Sequence, residues 1–153
     1  MPITTLINYL QDQSNYHIGS IHPPREEHPK KKFNLYARDS HGNNPHPYHI
    51  FVSFNPKKST IFFSVYYERG NWENEWENAR KRSDAIQLRM HNDSRWDGIC
   101  KALKVNANWF GKWEKTGAHG HCKFTFDHDN NPPDDNQLKE IKNLIDLIFT
   151  CFG

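Results

Sequence analysis

Ten histidines and three cysteines are the residues in this chain best suited to metal or nucleophile chemistry. The densest group is His119, His121, Cys122 and His128, with Asp127 and Asp129 beside it. Imidazole, thiolate and carboxylate are zinc ligands, but a structural site needs four of them turned toward one point. His121 and Cys122 are adjacent, and adjacent positions of a strand face opposite ways. The sequence has no Cys-x-x-Cys and no His-x-x-x-His pair. The expectation is therefore no bound metal and no cofactor.

Catalytic patterns are incomplete in the same way. A nuclease that holds a divalent ion between an Asp and a Glu-x-Lys strand needs the Glu and Lys on one face. In Trp113-Glu114-Lys115 they are adjacent and face apart. His121 and Lys123 start a His-x-Lys motif, but its acidic partner five residues on is replaced by His128. No phosphate-cradling glycine loop occurs, and nothing local joins a Cys to a His as nucleophile and base. No complete catalytic motif is present, and a metal-dependent hydrolase or nuclease is carried as the third hypothesis.

Cations interleaved with aromatic residues form a more coherent pattern. Arg80, Lys81 and Arg82 follow Trp72 and Trp76, and Lys57-Lys58 sits at a turn. Between residues 101 and 123, Lys101, Lys104, Lys112, Lys115 and Lys123 face only Glu114. Such cations can hold phosphate, and a ring can stack on a base that has left its helix. The competing reading makes Tyr67, Trp109 and Trp113 core and the cations solvated surface. The net charge of +2 conceals an asymmetry. Residues 127–153 carry Asp127, Asp129, Asp134, Asp135, Glu140 and Asp146 against Lys139 and Lys142, a net −4, so residues 1–126 carry +6. That is a mild bias toward an anionic partner.

The elements that must position these residues are organised around 48–69. Tyr48, Ile50, Val52 and Phe54 alternate with His49, Phe51 and Ser53, and Ile61, Phe63, Val65 and Tyr67 alternate with Phe62, Ser64 and Tyr66. Two period-2 runs broken by Asn55-Pro56-Lys57-Lys58-Ser59 predict a hairpin. Before it, Ile3, Leu6, Ile7 and Leu10 predict a helix to about Gln13, with Thr4 or Thr5 as a cap. Residues 14–32 read as a polar loop, and Phe33, Leu35 and Ala37 as a strand. After the hairpin, Trp72, Trp76, Ala79, Ser83, Ile86 and Met90 suggest a helix to about Ser83. Residues 84–91 fit a helix or a strand. Asp93 or Ser94 caps a helix that buries Trp96, Ile99, Cys100 and Leu103. Strands at 109–113 and 122–126 flank a turn at 116–120. Asp134 or Asp135 opens a last helix with the stripe Leu138, Ile141, Leu144, Ile145, Ile148 and Phe152.

The expected fold is α+β. An antiparallel sheet of about five strands carries an N-terminal helix, one or two middle helices and a C-terminal helix. One domain spans 1–153, an order also compatible with the first domain of a longer protein. The odd, widely spaced cysteines, the absence of a leader and the absence of a membrane span point to the cytoplasm.

This layout resembles the N-terminal DNA-binding domain of McrB-type, modification-dependent restriction proteins. The shared outline is the N-terminal helix, the hairpin from Pro47-Tyr48 to Tyr66-Tyr67, a middle helix, an aromatic strand pair and the closing helix Leu138 to Phe152. The Gly42-Asn43-Asn44-Pro45-His46-Pro47 stretch departs from that family's Gly-x-Gly-Asn and Pro-Trp. The resemblance implies a non-catalytic DNA-binding specificity module of a restriction or antiviral defence system. Such a module binds double-stranded DNA and flips a modified cytosine into an aromatic pocket, while other domains or subunits supply GTPase and nuclease activity. Tyr66, Tyr67, Trp109 and Trp113 are the expected pocket walls, with Lys57, Lys58, Arg80, Lys81, Arg82 and Lys112 on phosphates. The alternative is a small protein-binding inhibitor or immunity protein of a phage–bacterium conflict, acting through Trp72, Trp76 or the acidic stretch 127–135.

Overall fold

One antiparallel sheet in the order β1-β2-β3-β4-β6-β5 forms the frame. A computed structural model describes residues 2–22, 31–55, 60–67, 77–78, 81–104, 113–116, 119–127 and 133–152. Helix α1 (Pro2–Gln11) leads into β1 (Tyr16–His22), β2 (Lys31–Ala37), β3 (Tyr48–Asn55) and β4 (Thr60–Tyr67). Helices α2 (Ser83–Asn92) and α3 (Trp96–Leu103) follow, then β5 (Trp113–Thr116), β6 (His119–Asp127) and α4 (Asp135–Phe152). Of β5 and β6 the backbone is described. The α+β class and the helix placement agree with the expectation. No helix of the described residues is long and apolar enough to cross a membrane.

The sixth strand is the one that pattern reading misses. Tyr16–His22 was expected to be loop, and it pairs with β2 from Tyr16↔Ala37 to His22↔Lys32. Its register shifts between Ile18 and Ile21. A bulge inserts residues that have no opposite number, so the period of two breaks at Gly19-Ser20 and the run no longer reads as a strand.

The sheet's two faces follow from its registers. Ile18, Leu35, Ile50 and Val65 form one row across four strands, and Phe33, Val52 and Phe63 another. All but the partly buried Ile18 have no more than trace exposure. Against this face lies α4, whose Leu138, Ile141, Leu144, Ile145, Ile148 and Phe152 are buried as the stripe requires. Tyr48 anchors it, donating its hydroxyl to the Phe149 carbonyl at 3.0 Å inside the core. The Asp134 carboxylate accepts the Gln137 N–H at 2.8 Å, while the Gln137 side chain accepts the Asp134 N–H at 3.0 Å. That reciprocal pair starts α4. Arg89 of α2 closes its other end by donating to the Thr150 and Cys151 carbonyls at 3.2 and 3.3 Å.

The ambiguous stretch 84–91 resolves as helix. A strand would put Ile86, Leu88 and Met90 on one face, whereas a helix groups Ile86 with Met90. Ile86 and Met90 are buried and Leu88 is 61 % exposed. Trp72, Trp76 and Ala79 of the expected preceding helix lie outside the described residues. Two caps differ from expectation. Thr4 and Thr5 lie inside α1, which begins at Pro2. Asp93 sits ahead of α3, taking the Arg95 N–H at 2.9 Å, and the residue at the helix boundary is Arg95. Of the strand expected at 109–113, residues 109–112 lie outside the described residues, and the described strand runs from Trp113 to Thr116.

Candidate nucleic-acid interface

On the sheet face away from the helices, the registers set out a second series of rows. His17 faces Tyr36, and His49 faces Tyr66. Tyr36 and His49 join the two pairs, with ring centroids 4.8 Å apart. The His17–Tyr36 separation is 6.2 Å, and that of His49–Tyr66 is 6.0 Å with planes within 17°. Four rings therefore run unbroken across β1, β2, β3 and β4. The next row is Asn34, Phe51 and Ser64, and the one after it Lys32, Ser53 and Phe62. Phe51 packs against Tyr66 at 5.5 Å, and Lys32 Nζ stands 5.9 Å from the Phe51 ring centre. Tyr36, His49, Phe51, Phe62 and Tyr66 are partly buried. Ser53 and Ser64 between them are buried.

Ring pairs this close hold neighbouring strands together, each contributing of order 0.2–1 kcal/mol. They also place hydroxyls, imidazole nitrogens and ring surface beside the Lys32 ammonium. That combination can stack on unpaired bases and hydrogen-bond their edges.

The ladder ends at a cleft. Lys32, Asn34 and Tyr36 of β2 and Arg38 just past its end succeed one another at spacing two, and the Arg38 guanidinium lies 3.0 Å from His17 Nδ1. Arg38 also lines an opening of about 520 Å³ with Asn15, His46, Arg95 and Asp146. The loop between β2 and β3 aims His46 into it. Asp39 Oδ1 accepts the N–H groups of His41 and Asn43 at 2.8 and 3.0 Å, and Asn44 Oδ1 accepts that of His46 at 3.0 Å. His46 stacks on Phe149 at 5.4 Å with planes within 8°, and burial holds its pKa below the usual imidazole value.

Asp146 ties β1 to α4 at the cleft wall. Its Oδ1 takes the Tyr16 hydroxyl and, at 3.5 Å, the Asn15 amide; its Oδ2 takes Lys142 at 2.9 Å. Burial pushes the Asp146 carboxyl up to about 6, outweighing the Asn15 hydrogen bond, which pulls it down. Lys142 is still partly solvated, at 27 % exposure, so water screens its pull. Arg95 has its Nε and Nη2 on the Asp93 carboxylate at 2.8 and 3.1 Å.

Of the residues singled out by sequence, Tyr66, Lys81 and Arg82 have described side chains. Tyr66 is in the ring row. Tyr67, next to it in β4, stands opposite Tyr48 in the strand register. Trp113 lies opposite Cys122 at the far edge strand, and Trp109 lies outside the described residues. Lys81 and Arg82 are exposed just before α2. Lys57, Lys58, Arg80 and Lys112 lie outside the described residues, as do Trp72 and Trp76. Trp96, the tryptophan whose side chain is described, is core. His17, Tyr36, His49, Lys32 and Arg38 were missed as site residues. The outward set of β2 and β3 was visible as the second half of each alternation.

Among the described residues no cluster of His, Cys, Asp and Glu could hold a metal ion. His119, His121, Cys122 and Asp127 fall on β6, whose side chains lie outside the description, and His128 and Asp129 lie outside the described residues. Cys100 and Cys151 are free thiols. No protein-family model, characterised protein or solved structure matches this chain.

Proposed function

We propose that the protein is a non-catalytic nucleic-acid-binding module that takes unpaired bases on the sheet face that carries its ring row. The observation that carries this is the four-ring row His17–Tyr36–His49–Tyr66, flanked by Phe51 and Lys32. The unpaired base comes from a single strand or from a duplex that has turned one base out. The second source is the one the McrB resemblance implies, and a role in restriction or defence, in the cytoplasm, belongs to that version.

Fluorescence anisotropy tests the proposal with a single-stranded oligonucleotide and with unmodified and cytosine-methylated duplexes, at 50 and 200 mM salt. Binding is expected to weaken as salt rises, because phosphate contacts release counterions. Tyr66→Ala is expected to weaken it about 5- to 150-fold, the range for one lost base stack of roughly 1–3 kcal/mol. Lys32→Gln is expected to flatten the salt dependence by about one unit of slope. No binding to any of the three probes at 50 mM salt rejects the proposal. One observation favours a protein partner instead, the 61 % exposure of Leu88 on α2. Copurification of a stable protein partner, free of nucleic acid and lost in Leu88→Glu, would select that reading.

A further inference from the structure

The cleft at the end of the ring row has a charge arrangement of its own. Asp146 is the carboxylate on its wall, and both oxygens are already occupied by Tyr16, Asn15 and Lys142. His46 is stacked on Phe149, and its burial holds its pKa below the usual imidazole value. Two guanidiniums remain. Arg95 gives Asp93 its Nε and Nη2 and keeps Nη1. Arg38 is exposed and touches His17 Nδ1 through Nη2. Arg95 also sits at the N-terminal boundary of α3, where the helix dipole is positive. The opening, about 520 Å³, is in the size range of small-molecule sites, roughly 300–1,000 Å³.

We infer that this cleft binds a phosphomonoester through Arg38 and Arg95, and that the phosphomonoester is the phosphorylated end of the strand lying on the sheet face. Planar guanidiniums match phosphate oxygens in pairs, and a terminal phosphate offers more negative charge and more free oxygens than an internal diester. Arg38 connects the two places. Its position extends the Lys32, Asn34, Tyr36 file, and its guanidinium meets the last ring of the row. A strand crossing the row toward β1 therefore runs out at the cleft. The inference rests on the sheet-face reading for the source of its phosphate. A free mononucleotide carries the same group and is distinguished below.

The experiment compares one ten-nucleotide single strand carrying either a phosphate or a hydroxyl at each end in turn. Tighter binding by at least fivefold is expected for one phosphorylated end. Arg38→Gln, an exposed position, is expected to shrink that gap to under twofold, and circular dichroism confirms its fold. Equal, tight binding of all ends overturns the inference and leaves the sheet-face proposal standing. Calorimetry with AMP against adenosine covers the other source. Binding of AMP alone, lost in Arg38→Gln, while no oligonucleotide binds, keeps the phosphomonoester site and removes the strand. Binding of neither AMP nor any oligonucleotide overturns both.

Discussion

Tyr36 lies directly over Gly19. A β-carbon at position 19 would come within 2.7 Å of Tyr36 Cε2, closer than real side chains approach. Gly19 stands in the bulged part of β1, so the absent side chain makes room for the second ring of the row. Gly19→Ala must push that ring aside. Its expected cost is about 1–3 kcal/mol, the range for overfilling a packed site. A double-mutant cycle in urea checks the cause. Tyr36→Ala and Gly19→Ala together should cost less than the two single changes added, because the clash is gone in the double variant. Strict additivity would show that the ring does not depend on the glycine.

The start of α4 makes a separate prediction. Asp134 and Gln137 satisfy each other's backbone N–H groups. Asp134→Ala frees one helix donor and removes a negative charge from the helix N-terminus. The expected loss is about 1 kcal/mol, within the range of roughly 0.5–2 measured for such caps. Asp134→Ser should restore most of it, since the hydroxyl reaches the same N–H. If the serine variant is as unstable as the alanine one by chemical denaturation, the cap is not what holds this end.

How much was legible depended on whether period and burial agreed. The β3–β4 hairpin and α4 were readable because Tyr48, Ile50, Val52 and Phe54, then Ile61, Phe63 and Val65, repeat at 2.0, the stripe of α4 repeats at 3.6, and these positions land in the core. β1 was not, since the one-residue shift at Gly19-Ser20 scrambles its alternation. Helix α2 was open to two readings because Leu88 is apolar yet exposed, which puts an apolar residue at every second position of Ile86, Leu88 and Met90. The site was harder still. Attention fell on tryptophans and clustered cations, whereas the ring row uses single outward residues from four strands, brought together by register alone. Register is set by pairing between strands, and no local spacing encodes it. The cleft was invisible for a related reason. Asn15, Arg38, His46, Arg95 and Asp146 meet across the whole length of the chain.

Asp146 gives the first pH prediction. Its folded pKa, about 6, is above the ordinary carboxyl value near 4, so the folded state holds the proton more tightly than the unfolded one. The stability linked to this group is then fully present below about pH 4 and is lost as pH rises through 6. Asp146→Asn keeps the shape but cannot ionise. The melting temperature of the variant relative to the wild type is expected to rise between pH 4 and 6.5 and level off above. A constant difference across that window would place the carboxyl at an ordinary pKa, with Lys142 and Tyr16 holding the ionised form.

Asp93 behaves in the opposite sense. The side-chain hydrogen bonds from Arg95 are the largest cause, followed by the Arg95 backbone N–H, and together they hold its carboxyl down at about 2. A folded pKa below the unfolded value means the stabilisation is present above about pH 4 and disappears as pH falls toward 2. The pair is partly exposed, with side chains at 24 and 33 %, so added salt should screen part of the effect. Asp93→Asn loses the ion pair at every pH. The wild type should therefore be the more stable at pH 5, and the two proteins should converge in urea titrations as pH approaches 2. Convergence should come at smaller initial difference in 1 M salt than in 0.05 M. A gap that stays unchanged down to pH 2 would mean that the aspartate acts at the entrance to α3 through shape, with its charge contributing nothing.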